Sequence, residues 1–122
     1  MTPFGLRVRA LRKGRHITLK QMAADLDISA AYLSALEHGH RGRPSWSLVE
    51  QICVYFNIIW DDAEELQRLA SLSHPKVTLD TSGLSPTATE YANLLARDIR
   101  NLPKSRLEEM LNYLKEIAPS KR

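Results

Sequence analysis

The sequence predicts an all-α protein, with five short helices over residues 1–72, a linker over 73–85 and two longer helices within 86–122. Three observations carry this prediction. Apolar residues recur at three- and four-residue intervals along most of the chain, the spacing of one helix face. Ser or Thr precedes most of these stripes, where a side-chain oxygen satisfies the free N–H groups of a first helical turn. Gly or Pro punctuates the gaps between them. One alternating stretch, residues 76–80, departs from the pattern and is expected to form a short strand.

The elements follow in order. Thr2 before Pro3 places a cap ahead of a proline at the first helical position. Leu6, Val8 and Leu11 give that helix a narrow apolar stripe, and Gly14 ends it. Thr18 caps the second helix, with Gln21 completing a capping box and Met22, Ala23 and Leu26 on the buried face. A tight turn at Asp27 and Ile28 leads to Ser29, the cap of a third helix that buries Leu33 and Leu36 and stops at Gly39. A basic loop occupies residues 40–44. Ser45 caps the fourth helix, whose stripe is Leu48, Val49, Ile52, Cys53 and Phe56, so Cys53 reads as a packed thiol. Asp61 and Glu64 open the fifth helix, which carries Leu66, Leu69, Ala70 and Leu72, and His74-Pro75 breaks it.

Ser85-Pro86 repeats the cap-then-proline signal. The sixth helix runs to about Asn101, with Tyr91, Leu94, Leu95, Ile99 and Leu102 along one side. Pro103 opens the seventh, striped by Leu107, Met110, Leu111, Leu114 and Ile117, and residues 119–122 are expected to fray.

Composition narrows the function. Of 122 residues, 43% are hydrophobic and 25% charged, a globular balance that excludes a disordered chain. No apolar run reaches bilayer-spanning length, and no apolar block opens the chain, so a cytoplasmic protein is expected. Cys53 is the only cysteine, which excludes an internal disulfide and a Cys-based zinc site. His38 and His40 stand two apart, too few ligands for a metal site, and suit a phosphate-facing surface instead. The acid pairs at 61–62 and 64–65 sit at a helix start, where the dipole favours them. With no nucleophile–base arrangement and no Gly-rich phosphate loop, neither an enzyme nor a cofactor is expected.

The net charge of +3 is unevenly spread. Residues 1–44 carry eight Lys/Arg against three acids, a net +5, while residues 45–122 carry a net −2. A basic end on an acidic remainder suits contact with phosphate. Within that end, Thr18 to Gly39 holds two short helices joined by a tight turn, which is helix-turn-helix spacing.

The residues in this stretch resemble the Cro/CI-like, or xenobiotic-response-element (XRE), family of regulators, which implies a five-helix lambda-repressor-like domain. The resemblance covers residues 4–72 and rests on Leu11-Arg12, Thr18, Met22-Ala23, Ile28-Ser29, Tyr32-Leu33-Ser34, Leu36-Glu37-His38-Gly39 and Arg43-Pro44-Ser45. It implies that the third helix enters the major groove of double-stranded DNA. Ser29, Ala30, Ala31, Tyr32, Ser34, Ala35 and His38 then face the bases. Thr18, Lys20 and Gln21 at the second helix, with His40, Arg41 and Arg43 in the loop, face phosphate or the minor groove. Arg12 and Glu37 occupy positions that form an inward salt bridge.

Two departures matter. Ala30, Ala31 and Ala35 offer no hydrogen bond to a base edge, so polar readout falls to Ser29, Tyr32, Ser34 and His38, and DNA shape is expected to contribute. Leu19 stands where a phosphate-holding Gln is common, with Lys20 or Gln21 as substitutes.

A two-helix hairpin of the size of residues 86–122 cannot enclose its own core. Its stripes must pack on the first domain, in a monomer, or on a second copy; residues 74–118 are expected to form a homodimer interface through Val77, Leu79, Tyr91, Leu94, Leu95, Ile99, Leu107, Met110, Leu111 and Leu114. The segment leaves little room for a sensing domain, so no small-molecule effector is expected. The predicted function is a homodimeric transcriptional repressor. An antitoxin that binds a toxin and regulates its own operon, and a protein-interaction module with a vestigial helix-turn-helix, are the alternatives.

Overall fold

The computed structural model describes residues 1–119. The expected fraying of residues 120–122 lies outside the described residues. The order is α1 (Pro3–Gly14), α2 (Leu19–Asp25), α3 (Ala30–His38), α4 (Trp46–Phe56), α5 (Trp60–Ser71), α6 (Pro86–Asp98), a 3-10 turn (Ile99–Asn101) and α7 (Lys104–Ile117). The all-α class stands. The chain divides into two units after Val77.

In the first unit α1 to α5 enclose one core. Phe4, Val8, Met22, Leu33, Leu36, Ile52, Phe56 and Leu66 are almost wholly buried within it. Each such side chain contributes about 1.5–3 kcal/mol through removal from water. Five predicted caps form: the hydroxyls of Thr2, Thr18, Ser29, Ser45 and Ser85 each accept a backbone N–H three residues on. Thr2 does more than cap. Its N–H and its hydroxyl both donate to the Glu37 carbonyl, at 2.9 and 3.2 Å, and so tie the start of α1 to α3. The Phe4 N–H donates to the Ser73 hydroxyl, which in turn donates to the Leu69 carbonyl, joining α1 to the end of α5. Gly5 lets α1 and α3 meet, because a Cβ there would lie 2.1 Å from the Glu37 carbonyl oxygen. Gly39 takes a left-handed φ of 82° and ends α3.

Several expectations need correction. Leu6 is 60% exposed, and α1 buries Phe4, Val8 and Arg12 instead, a strict four-residue register that leaves position 6 facing out. Leu72 is 59% exposed because it caps α5 from beyond the helix, while Ser73 turns inward. Gln21 completes no capping box, since its amide donates to Asp25 within the same helix. The fifth helix begins at Trp60, with Asp61 and Asp62 in its first turn and no side-chain cap from Ile59. Residues 76–80 form no strand, having no neighbouring strand to pair with, and the isolated bridge between His40 and Gly42 is the only β pairing among the described residues. The sixth helix leaves α geometry at Ile99, and Pro103 stands at the cap of α7 rather than inside it.

In the second unit no described residue is buried. Tyr91, Leu111 and Leu114 are more than half exposed, while Leu95, Leu107 and Met110 are half-buried. Its helices present their apolar stripes to solvent. Among the described residues no helix is long and apolar enough to cross a membrane.

Candidate nucleic-acid interface

The helix-turn-helix is built locally. Asp27 adopts a left-handed φ of 59° and its N–H donates to the Ala24 carbonyl, so the chain reverses within two residues of α2. Ile28 packs against the core and Ser29 then caps α3. Leu33 and Leu36 seat one face of α3 inside, which turns Ala31, Tyr32 and His38 out to solvent. Ser34 and Ala35 are half-buried, and Ala30 packs against the core.

The exposed groups differ in what they offer. The Ser29 hydroxyl accepts the Tyr32 N–H at 3.0 Å and keeps its own proton to donate. Tyr32 is 38% exposed, and its hydroxyl has no partner among the described residues. His38 Nδ1 lies 2.9 Å from the Ser34 carbonyl, which accepts only, so the proton is assigned to Nδ1. Neutral His38 then presents Nε2 as an acceptor, and protonated His38 presents a donor.

The helix is held from behind. Arg12 Nη2 donates to both carboxylate oxygens of Glu37, at 2.9 and 3.0 Å, with the side chains 10% and 1% exposed. Arg12 Nε is buried without a partner among the described residues. This is the predicted inward pair, and it commits Arg12 to the interior. Arg15 stays at the surface but is tied down, because its guanidinium donates to the Phe56 carbonyl at the end of α4 and lies over the Phe56 ring. Sequence reasoning missed this role, since nothing local marks the end of α4 as its neighbour.

The loop after α3 leaves its cations free. Pro44 is buried and anchors the loop, Gly42 takes a φ of 76°, and Arg41 and Arg43 are exposed without an ion pair among the described residues. His40 is exposed, its ring centroid 6.1 Å from that of His38, so the loop continues the end of α3. Trp46, also missed in the sequence, stands 63% exposed at the start of α4 and shares a cleft of about 270 Å³ with Arg43. At the start of α2, Lys20 is exposed and Gln21 is held by its 2.8 Å bond to Asp25. The other Asp25 oxygen accepts the Tyr55 hydroxyl at 2.6 Å. Partial burial and that bond push the Tyr55 hydroxyl up to about 12. Burial, then Glu50, raises the Cys53 thiol, which keeps it protonated and packed.

The residues expected at a dimer interface lie elsewhere. Val77 and Leu79 are exposed in the linker, and the rest line the stripes of α6, the 3-10 turn and α7. Among the described residues no group of three or more His, Cys, Asp or Glu is placed to hold a metal ion.

A capped α3, a tight turn before it and a loop whose arginines have no ion pair among the described residues define the class, a DNA-binding helix-turn-helix protein. Residues 3–69 match the helix-turn-helix domain family, and the chain belongs to it. The chain is similar to an uncharacterized HTH-type transcriptional regulator, RghRB, of Bacillus subtilis (strain 168), with 32% identity over 103 residues, 84% of this chain and 74% of that protein. It is also 34% identical over 61 residues to the HTH-type transcriptional repressor RghR of the same organism, covering 50% of this chain and 45% of the repressor. No solved structure matches the chain.

Proposed function

We propose that this protein is a sequence-specific, double-stranded DNA-binding transcriptional repressor of the Cro/CI-like type, acting in the cytoplasm as a homodimer. The observation that carries the reading is the outward edge of α3, with Tyr32 and His38 exposed, running directly into a loop whose Arg41 and Arg43 have no partner among the described residues. α3 enters the major groove, with Ser29, Ala31, Tyr32, Ser34, Ala35 and His38 toward the base edges. Ala30, only partly buried against the core, joins them on the base-facing side and lets the helix sit close. Thr18, Lys20, Gln21, His40, Arg41 and Arg43 meet phosphate. With so few polar groups on α3, DNA shape supplies part of the specificity.

Repression needs only occupancy of a promoter, and the name of one relative, a transcriptional repressor, supports that sign. Dimerisation is supported by the exposed stripes of α6 and α7, which a second copy would cover. Two copies would then read half-sites about 34–36 Å apart.

Selection of bound duplexes from a random library tests the reading, followed by titration of the selected and of scrambled DNA. A palindromic consensus bound at least about a thousandfold more tightly than scrambled DNA is expected. Tyr32→Ala should lower that ratio by weakening the selected site alone. Enrichment of no sequence would refute specific recognition.

A further inference from the structure

We propose that the surface formed by Val54, Ile59 and Trp60 docks a basic, apolar-anchored segment of a partner protein. These three side chains are 80%, 61% and 80% exposed. They rim an open groove of about 430 Å³ whose floor includes Ile58 and Ala63, with Glu50 at its side. Three large apolar residues clustered on one monomer surface mark an interaction site more often than isolated ones do. Trp60 also adopts a φ of 56°, a conformation that bulky L residues avoid, and burial of its ring does not repay it.

Charge selects the occupant. Glu50, Asp61, Asp62 and Glu64 are all exposed on α4 and the first turns of α5. Residues 45–77 carry five acids against Arg68 and Lys76, a net −3, and Arg68 is already paired with Glu65 at 2.7 Å. DNA and anionic membranes are repelled by such a rim. A second copy meeting this face with its own would set acid against acid. Residues 78–122 carry seven Lys/Arg against six acids, a net +1, with Arg97 and Arg106 already paired to Asp98 and Glu109, so they complement this face less well than a basic peptide does. The groove is too open to enclose a small molecule, whereas a peptide can lay an aliphatic or aromatic anchor in it and place Lys or Arg over Trp60 and against the acids.

The test is selection of a displayed random 12-residue peptide library on the full chain, with counter-selection on Trp60→Ala. Because Trp60 is exposed, the variant should keep its thermal midpoint and its DNA affinity, which separates this proposal from the DNA-binding one. Surviving peptides should carry apolar anchors with an excess of Lys and Arg. Their affinity should fall about tenfold or more in Trp60→Ala and weaken as salt rises. No surviving peptides, or a set without basic excess, overturns the proposal. So does a change of oligomeric state in Trp60→Ala by light scattering, which would make a second copy the occupant.

Discussion

Gly5→Ala should destabilise the first unit, although alanine favours helices. In isolation the change adds about 0.5–1 kcal/mol to α1. The new Cβ, however, would sit 2.1 Å from the Glu37 carbonyl oxygen and 2.7 Å from its carbonyl carbon and Cα. Carbon and carbonyl oxygen normally approach to about 3.3 Å, so the helices must part by roughly an ångström. All three clashing atoms are backbone, so no side chain can swing aside. Overpacking of this kind costs about 1–3 kcal/mol. Separation also weakens the two hydrogen bonds from Thr2 to Glu37, each contributing about 0.5–1.5 kcal/mol. The net expectation is a loss of about 2–4 kcal/mol, equivalent to roughly 10–25 °C in the thermal midpoint of a unit of this size. Urea unfolding followed by circular dichroism should show a lower midpoint at unchanged slope. A variant as stable as the parent would refute the idea that α1 and α3 touch through Gly5.

Three further outcomes are expected. Glu37→Ala strands the buried Arg12 guanidinium and should cost about 3–5 kcal/mol by urea denaturation, whereas Arg12→Met with Glu37→Met should cost far less. Arg41→Ala with Arg43→Ala should weaken binding to all duplexes alike and lower the logarithmic salt slope by about 2 in anisotropy titrations, because each lost phosphate contact removes about 0.9. Tyr55 should give an alkaline signature: its neutral form is favoured by folding, so that stability is fully present below the unfolded value near 10 and is lost as pH climbs through about 12. Tyr55→Phe should remove that component from the pH dependence of urea midpoints between pH 9 and 12.

Local signals in the sequence carried most of the fold. Caps at Thr2, Thr18, Ser29, Ser45 and Ser85 depend on a hydroxyl three residues from its partner, a relation visible in any window of four residues. The core face of α4 was legible for the same reason, since five apolar residues at helical spacing leave one solution. What escaped depends on distant elements. Phe4 outcompetes Leu6 because α3 and α5 both pack against α1, and Gly5 looks like a weak helix residue until the Glu37 carbonyl is placed beside it. Arg15 counted as a free surface cation until α4 ended next to it and its carbonyl tied the guanidinium down. Residues 76–80 alternate as a strand does, but pairing requires a neighbour that alternation cannot supply. In the candidate site, the outward positions of Ala31, Tyr32 and His38 follow from burying Leu33 and Leu36, whereas the partial burial of Ala30 needs the core itself. The exposed Val54, Ile59 and Trp60 broke no rule of sequence and were recognisable only by their exposure.

The central claim, that α3 and the following loop meet DNA, is tested most directly by backbone amide NMR of the full chain titrated with a selected duplex. The expected result is a contiguous set of perturbed amides at residues 18–21, 29–38 and 40–43, retained in salt for the selected duplex and lost for scrambled DNA. Perturbation centred on α5 or α7, with α3 unmoved, would contradict it.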